Sequence, residues 1–267
     1  MAPPAPPRPE LRVYLLVKDL QRQFAAYLGT PTRARGYPPF AGEHSLIVEV
    51  APALAIERVT DLALRAVPTV EPGILYVERQ FGVLEVHGPD LADMERAGEA
   101  ILAGLAADPG DQLRPRILFA DVIEDLTDRQ AVIINRNRGG SMVLPGDTLG
   151  VCEVTPALFA TVAANEAERA APGVTLVDVS MIGVAGRIYL AGQIADVTRA
   201  QQAMAGVLAA VEGRDQSGGG RRAGAGAVRG RARSAGAGKA ERGSARAGPG
   251  HRPRRGARGD HAAAVPH

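Results

Sequence analysis

The chain lacks much of what most enzyme classes need. Its one cysteine, Cys152, cannot close an internal disulfide, which suits a reducing compartment. Lysine occurs only at Lys18 and Lys239, and neither ends a G-x-x-x-x-G-K-[ST] loop, so a Walker-type phosphate site is excluded. His44 and His87 are the only histidines before residue 213, too few to complete a Cys/His zinc site with Cys152. Tryptophan is absent, and all ten Tyr and Phe residues lie at or before Tyr189. No run approaches the ~18 apolar residues of a membrane span. The opening Met1-Ala-Pro-Pro-Ala-Pro-Pro-Arg-Pro-Glu10 lacks the apolar centre of a signal peptide. The expectation is a protein without metal, cofactor or membrane partner.

What is present divides in two. A length of 267 residues suggests about two domains. The net charge of +2 hides a split: residues 213–267 carry 13 Lys and Arg against 3 Asp and Glu, and the rest carries 18 against 26. A folding body therefore ends near Val211. The Gly/Ala/Arg-rich segment 213–267 has too little apolar surface to offset its chain entropy and is expected to be disordered. Residues 1–10 form a proline-rich arm.

The body repeats itself. Shifted by 104 positions, Glu49-Val-Ala-Pro-Ala-Leu54 falls on Glu153-Val-Thr-Pro-Ala-Leu158, and Arg65-Ala-Val-Pro68 falls on Arg169-Ala-Ala-Pro172. Nine of the twenty positions from Glu49 to Pro68 are identical to their partners. Gly88 also meets Gly192, and Arg12 meets Arg116. This matching predicts two copies of one fold, residues 11–108 and 115–212.

Each copy reads as α+β. Val13–Val17 and Ile117–Ala120 are apolar runs suited to buried strands, followed by short helices over Leu20–Leu28 and Ile123–Ile134. Strands Ser45–Val50 and Leu149–Val154 precede Pro52 and Pro156, prolines that suit the first turn of helices running to about Val67 and Ala171. Paired strands follow at Ile74–Val77 with Val83–Val86, and at Val174–Val179 with Ile188–Leu190. A last helix closes each copy, with Leu91, Met94, Ile101, Leu102 and Leu105 on one apolar face of the first and Val197–Val211 spanning the second.

Cys152-Glu-Val-Thr-Pro-Ala-Leu158, a helix ending Glu168-Arg-Ala-Ala171, then Val174-Thr-Leu-Val177, a short loop, Arg187-Ile-Tyr-Leu190 and a helix resemble the bacterial microcompartment (BMC) shell domain. Two copies, each led by an extra strand and helix, resemble the permuted tandem shell proteins, of which the ethanolamine- and propanediol-utilisation trimers are the best known. The resemblance covers residues 11–212 and rests on the order of elements and the duplication. It implies a structural protein of a microcompartment shell in the bacterial cytoplasm: three chains imitate a hexamer, tile into a sheet and leave a central metabolite pore. The implied partners are further copies of the chain (a homotrimer, or two trimers stacked face to face), other shell proteins, enclosed enzymes and small metabolites. A trimeric small-ligand-binding or signalling protein with a related α/β core is the alternative.

The resemblance also assigns residues. Simple shell domains carry a lysine 16 positions after the strand glutamate, at the tile edge. Here Arg65 and Arg169 take that position after Glu49 and Glu153, and arginine adds a planar fork for carbonyls or carboxylates. Solvated arginines near helix C-termini would look the same. The loop between the paired strands is the pore loop of the family: Glu78, Arg79, Gln80, Phe81 and Gly82 in copy one, and Ser180, Met181, Ile182 and Gly183 within Ser180–Gly186 in copy two. Some tandem shell proteins gate their pores with a Glu-Arg pair at this place, which Glu78 and Arg79 match; an ordinary hairpin turn with solvated charges is the plainer reading.

Other features carry less. Gly183-Val-Ala-Gly186 leads into a strand rather than a helix, against a dinucleotide site. His44 with Ser45, and His87 with Asp90, have no third partner in the sequence for catalysis. Asn135-Arg-Asn-Arg-Gly-Gly-Ser141 reads as a solvated loop. The basic tail attracts phosphate in general, but it has no aromatic side chain for base stacking, so nucleic acid is not the expected partner.

Overall fold

The structure, a computed structural model, describes residues 8–30, 36–137 and 139–216. The first repeat runs β1 (Glu10–Val17), α1 (Arg22–Leu28), β2 (His44–Ala51), α2 (Ala55–Ala66), β3 (Glu71–Val77), β4 (Gly82–Gly88) and α3 (Leu91–Leu105). The second runs β5 (Arg116–Ile123), α4 (Asp128–Asn137), β6 (Thr148–Thr155), α5 (Phe159–Ala170), β7 (Thr175–Ser180), β8 (Gly186–Gly192) and α6 (Ile194–Ala209). Each forms an antiparallel sheet, ordered β1-β2-β4-β3 in the first and β5-β6-β8-β7 in the second. The architecture is two α+β units in tandem.

Period-two and helical patterns place the cores. Leu46, Val48, Val50, Leu84 and Val86 point from one face of the first sheet onto Ile56, Val59 and Ala63 of α2 and Met94, Ala97 and Ile101 of α3. Burying each large apolar side chain here contributes about 1.5–3 kcal/mol. The Asp90 side chain caps α3 by accepting from Ala92 N at 2.9 Å. The opposite face of the same sheet, Val13, Leu15, Val17, Ile47, Ile74 and Val83, joins Phe24, Ala25 and Leu28 of α1 in one core with α5 of the second repeat.

Four expectations need correction. The repeat does not keep one register, because Val17 pairs with Ser45 whereas Ile123 pairs with Leu149. Strands β1 and β5 thus correspond 106 positions apart, while the following strands correspond 104 apart. Arg12 is therefore equivalent to Leu118 rather than to Arg116. The turns agree: Asp19 and Asp125, 106 apart, both adopt left-handed backbone with φ of 56° and 51°. The two additional residues of copy one fall between Gly29 and Gly36, since Tyr37 N reaches Pro72 O and Ser141 N reaches Leu176 O at the shorter spacing.

Strand β5 is not buried: Ile117, Leu118 and Phe119 are 39%, 45% and 55% exposed. The second repeat's early helix begins at Asp128, because Val122 and Ile123 still pair with β6 and the chain turns at Asp125. Pro52 and Pro156 follow cis peptide bonds in the turn before α2 and α5, not in the first helical turn. There Pro52 O accepts from Ala55 N, and Pro156 O accepts from Phe159 N.

The tail boundary is also corrected, because residues 213–216, expected to be disordered, lie along the body. Arg214 N and Gln112 O are 2.8 Å apart, and Arg214 reaches the Glu10 carboxylate. Gln216 Nε2 donates to Arg114 O and Thr155 O. The disorder expected for the tail falls, from residue 217 on, outside the described residues, as does the arm from 1 to 7.

Candidate functional site

The paired strands hold both expected pore loops by the same device. Gly82 opens β4, and a Cβ there would collide with Ala53 O and lie 2.5 Å from Ile56 Cβ of α2. Gly186, at the matching place, would collide with Ala157 O and lie 2.7 Å from Ala160 Cβ. Each glycine is thus demanded by close approach of a helix start to the strand, not by backbone freedom.

In the first loop, Glu78 N donates to Phe81 O at 2.9 Å. The Glu78 carboxylate accepts from Tyr76 Oη at 3.1 Å and from Arg79 N at 3.1 Å. Arg79 and Gln80 are exposed, whereas Phe81 is buried beneath the Arg12 guanidinium, 5.6 Å from its ring centroid. Arg12 in turn binds Glu49 at 2.6 Å. Burial pushes the Glu49 carboxyl above its usual range, while Arg12 pulls it down. Only residues 78–80 stand away from the packed base.

In the second loop, Ser180 ends β7 opposite Arg187, Met181 is buried and Ile182 is half-buried. Gly183 carries a positive φ of 133° with open space around it. The tip is Val184, 86% exposed, a residue that sequence reasoning did not single out. Its carbonyl accepts from Thr155 Oγ1.

The two expected edge arginines have different surroundings. Arg169 sits on the seam between the repeats, donating from Nη2 to Lys18 O at 2.5 Å and Asp19 O at 2.9 Å, and from Nη1 to Glu166 at 2.8 Å. Arg65 is 79% exposed and binds Asp61 of its own helix at 2.6 Å. The seam uses other polar residues as well. Helix α1 has no side-chain cap of its own. Glu168 supplies one across the seam, accepting from Gln23 N and Phe24 N at 2.9–3.1 Å. Asn165 Oδ1 accepts from Gln21 N at 2.8 Å. The signal available in the sequence was a difference between the copies: Asn165 and Glu168 stand where α2 has Asp61 and Leu64.

A cleft of about 650 Å³ lies beside this seam, bordered by Gln23 and Tyr27 of α1 and by Gly140, Ser141 and Leu176. Burial pushes the Cys152 thiol up to about 11, which leaves it protonated near neutrality. Among the described residues no group of three or more His, Cys, Asp or Glu side chains is placed to hold a metal.

This pair of repeats has known counterparts. Residues 11–111 match the family model for the CsoS1D N-terminal domain. The chain is 40% identical over 209 residues to the carboxysome shell protein CcmP of Synechococcus elongatus, covering 78% of this chain and 96% of that one. It is 40% identical over 195 residues to the carboxysome shell protein CsoS1D of Hydrogenovibrio crunogenus, covering 73% and 93%. Among solved structures, the double-ringed trimeric shell protein MSM0271 from the RMM microcompartment shares 66% identity at a TM-score of 0.75, over 78% of this chain and 100% of that one. The fused permuted hexameric shell protein MSM0275 from the same microcompartment shares 47% at 0.73, over 77% and 99%. The protein belongs to the tandem BMC shell proteins, the family of these carboxysome shell proteins.

Proposed function

We propose that three copies of this chain close a ring of six repeats and form a tile of a bacterial microcompartment shell, with a central opening for metabolites. The protein is structural and has no catalytic role. One observation carries this reading: α5 covers β1 and α1 at the outer face of the first sheet, whereas the equivalent surface of β5 and α4 in the second repeat is exposed beyond the buried cluster of Leu149, Val177 and Ala191. Phe119 stands where Val13 is buried, and Ile133 of α4 stands where Tyr27 packs, yet both are more than half exposed. The helix equivalent to α5 is α2, whose N-cap residue Leu54 and outward residues Arg58 and Arg65 are exposed. Helix α2 of a second copy is proposed to cover this exposed surface as α5 covers the first, and three such contacts would satisfy every repeat.

In this ring the loops 78–82 and 180–186 are proposed to line the opening, since they hold the same place in each repeat. Arg65 and Arg169 are proposed to reach the tile edge with the guanidinium surface that remains exposed. Light scattering on residues 8–216 tests the ring. The expected mass is three chains or a multiple of three, and a stable monomer at micromolar concentration overturns it.

A further inference from the structure

The two repeats differ in chemistry at one buried place on the sheet. In the second, Leu149, Val177 and Ala191 pack with Tyr189 in an apolar cluster. The first repeat has Ser45, Gly73, His87 and Glu85 at these four positions, fixed by matching registers: Ser45 opposite His87 as Leu149 is opposite Ala191, and Ile74 opposite Glu85 as Asp178 is opposite Tyr189. Ser45, Glu85 and His87 are each at most 1% exposed. Since an apolar set builds the same fold one repeat away, the polar set is not needed for folding. It carries the cost of burying a carboxylate, which must be offset by a partner.

That partner is His87. Its Nδ1 lies 3.2 and 3.3 Å from the two Glu85 oxygens, and Ser45 Oγ donates to Glu85 Oε1 at 2.6 Å. A Cβ on Gly73 would collide with Glu85 Oε2, so glycine there makes room for the carboxylate. The His87 Nε2 has no hydrogen-bond partner among the described residues, but Glu71 Oε2 of β3 is 3.8 Å away. Glu43, in the segment leading into β2, adds its field. The α1 side chains buried in the adjoining core are Phe24, Ala25 and Leu28, none of them titratable.

We propose that Ser45, Glu85 and His87 form a protonation switch in the first repeat: it holds segment 36–43 and the start of β3 on the sheet while His87 carries its proton, and releases them when the proton leaves. Charged His87 sits among three carboxylates. Glu85 is on its own strand, Glu71 begins β3, and Glu43 belongs to the segment whose Tyr37 N donates to Pro72 O at 3.0 Å. Removing the proton turns one attraction into mutual repulsion between these three elements and leaves Glu85 buried without a counter-ion.

The sign follows from His87. Burial alone lowers its pKa, but Glu85, Glu43 and Glu71 more than offset this, and the net shift is upward. The stabilisation is therefore complete below the unfolded value of about 6.5 and is lost as pH rises through the higher folded value. Opening of 36–43 should grow by up to roughly tenfold per pH unit across that window, the limit for one proton.

The second repeat supplies the control within the same chain. Its segment 140–147 is held by Gly140 N to Val177 O and Ser141 N to Leu176 O, over the apolar set. Hydrogen exchange of the intact full chain should be followed by mass spectrometry from about pH 6 to about pH 8, corrected for the intrinsic chemical rate. Protection of 36–43 is expected to fall with rising pH while that of 140–147 stays level. His87→Gln, neutral throughout, should flatten the response of 36–43. The fourfold change Ser45→Leu, Gly73→Val, Glu85→Tyr and His87→Ala, which installs the second repeat's set, should flatten it with protection kept high. Equal pH responses in both segments, none in the wild type, or an undiminished response in His87→Gln would overturn the switch.

Discussion

Val13 and Phe119 occupy the same position in the two repeats, opposite Glu49 and Glu153, yet Val13 is fully buried and Phe119 is 55% exposed. The difference measures an unfinished surface. Covering the exposed part of a phenylalanine is worth about 1–2 kcal/mol, and the ring proposed above has three such seams. Phe119→Glu places a charge in each of them without touching a packed core. The variant should melt close to the wild type but sediment as a monomer at micromolar concentration. A Phe119→Glu protein that keeps the wild-type mass would remove this face from the interface.

The seam inside the chain also predicts which residues tie its structure together. Glu168 caps α1 from the other repeat, so Glu168→Ala leaves the amides of Gln23 and Phe24 without an acceptor in a part-buried place. The expected loss is about 1–3 kcal/mol, read as a lowered denaturation midpoint with an unchanged slope. Leu64 stands at the equivalent position in α2, and α4 has Thr127 Oγ1 near Gln130 N as a cap of its own. Leu64→Ala removes no cap, and should lower the midpoint only by the partial contact Leu64 makes with the first core, about 1 kcal/mol. A Glu168→Ala midpoint equal to the wild type would mean that the cap contributes little.

The repeat and its α+β order were legible because Glu49–Pro68 and its copy kept identical residues where turns and helix ends need them. The register change was not, since two residues added between Gly29 and Gly36 leave no mark in composition. The chance match of Arg12 with Arg116 concealed it further. Burial of β5 was misjudged for a different reason: Ile117-Leu-Phe-Ala120 reads the same whether its cover is the same chain or another. Loop positions 78–82 and 180–186 could be read from the strand pairing. The role of Gly82 could not, because a close approach by Ile56 is a tertiary fact.

Edge contacts give a separate test. Arg65 and Arg169 are partly exposed, and replacing both with Glu reverses six charges in a trimer. Negative-stain electron microscopy should show dispersed rings in place of extended sheets. Arg169→Glu also severs the bonds to Lys18 O and Asp19 O, so the single variant should lose some thermal stability while Arg65→Glu should not. Intact sheets from the double variant would place both arginines away from the edge.

The basic segment yields a prediction from composition alone. Residues 217–267 carry twelve Lys and Arg against two Asp and Glu, with few large apolar residues. Truncation after Gln216, which spares the contacts of Arg214 and Gln216, should leave melting temperature and assembly mass unchanged. Any retention on immobilised nucleic acid should disappear with the segment and decline steeply with salt. Salt-insensitive retention by the truncated protein would relocate the binding to the body.

A gate at the proposed opening would depend on how little of the first loop is able to move. Phe81 is clamped under Arg12, Gly82 is fixed against α2, and Val77 still pairs with Gly82, so a rearrangement is confined to Glu78, Arg79 and Gln80. Three copies around an axis bring three of each charge together. Like charges there repel, whereas Glu78 of one copy beside Arg79 of the next attracts and closes the opening. In the isolated chain the Glu78 carboxylate instead accepts from Tyr76 Oη and Arg79 N, so closing would exchange these partners for Arg79 of the next copy. Glu78→Ala with Arg79→Ala removes the attraction between copies and leaves the clamped base intact. Single-particle maps should then contain only open rings, against closed or mixed rings for the wild type. Tyr76→Phe, which takes away a partner of the retracted carboxylate, should shift the wild-type mixture toward the closed form. Maps that place Glu78 and Arg79 on the outer rim would refute the pore assignment, and a closed double variant would refute the gate alone.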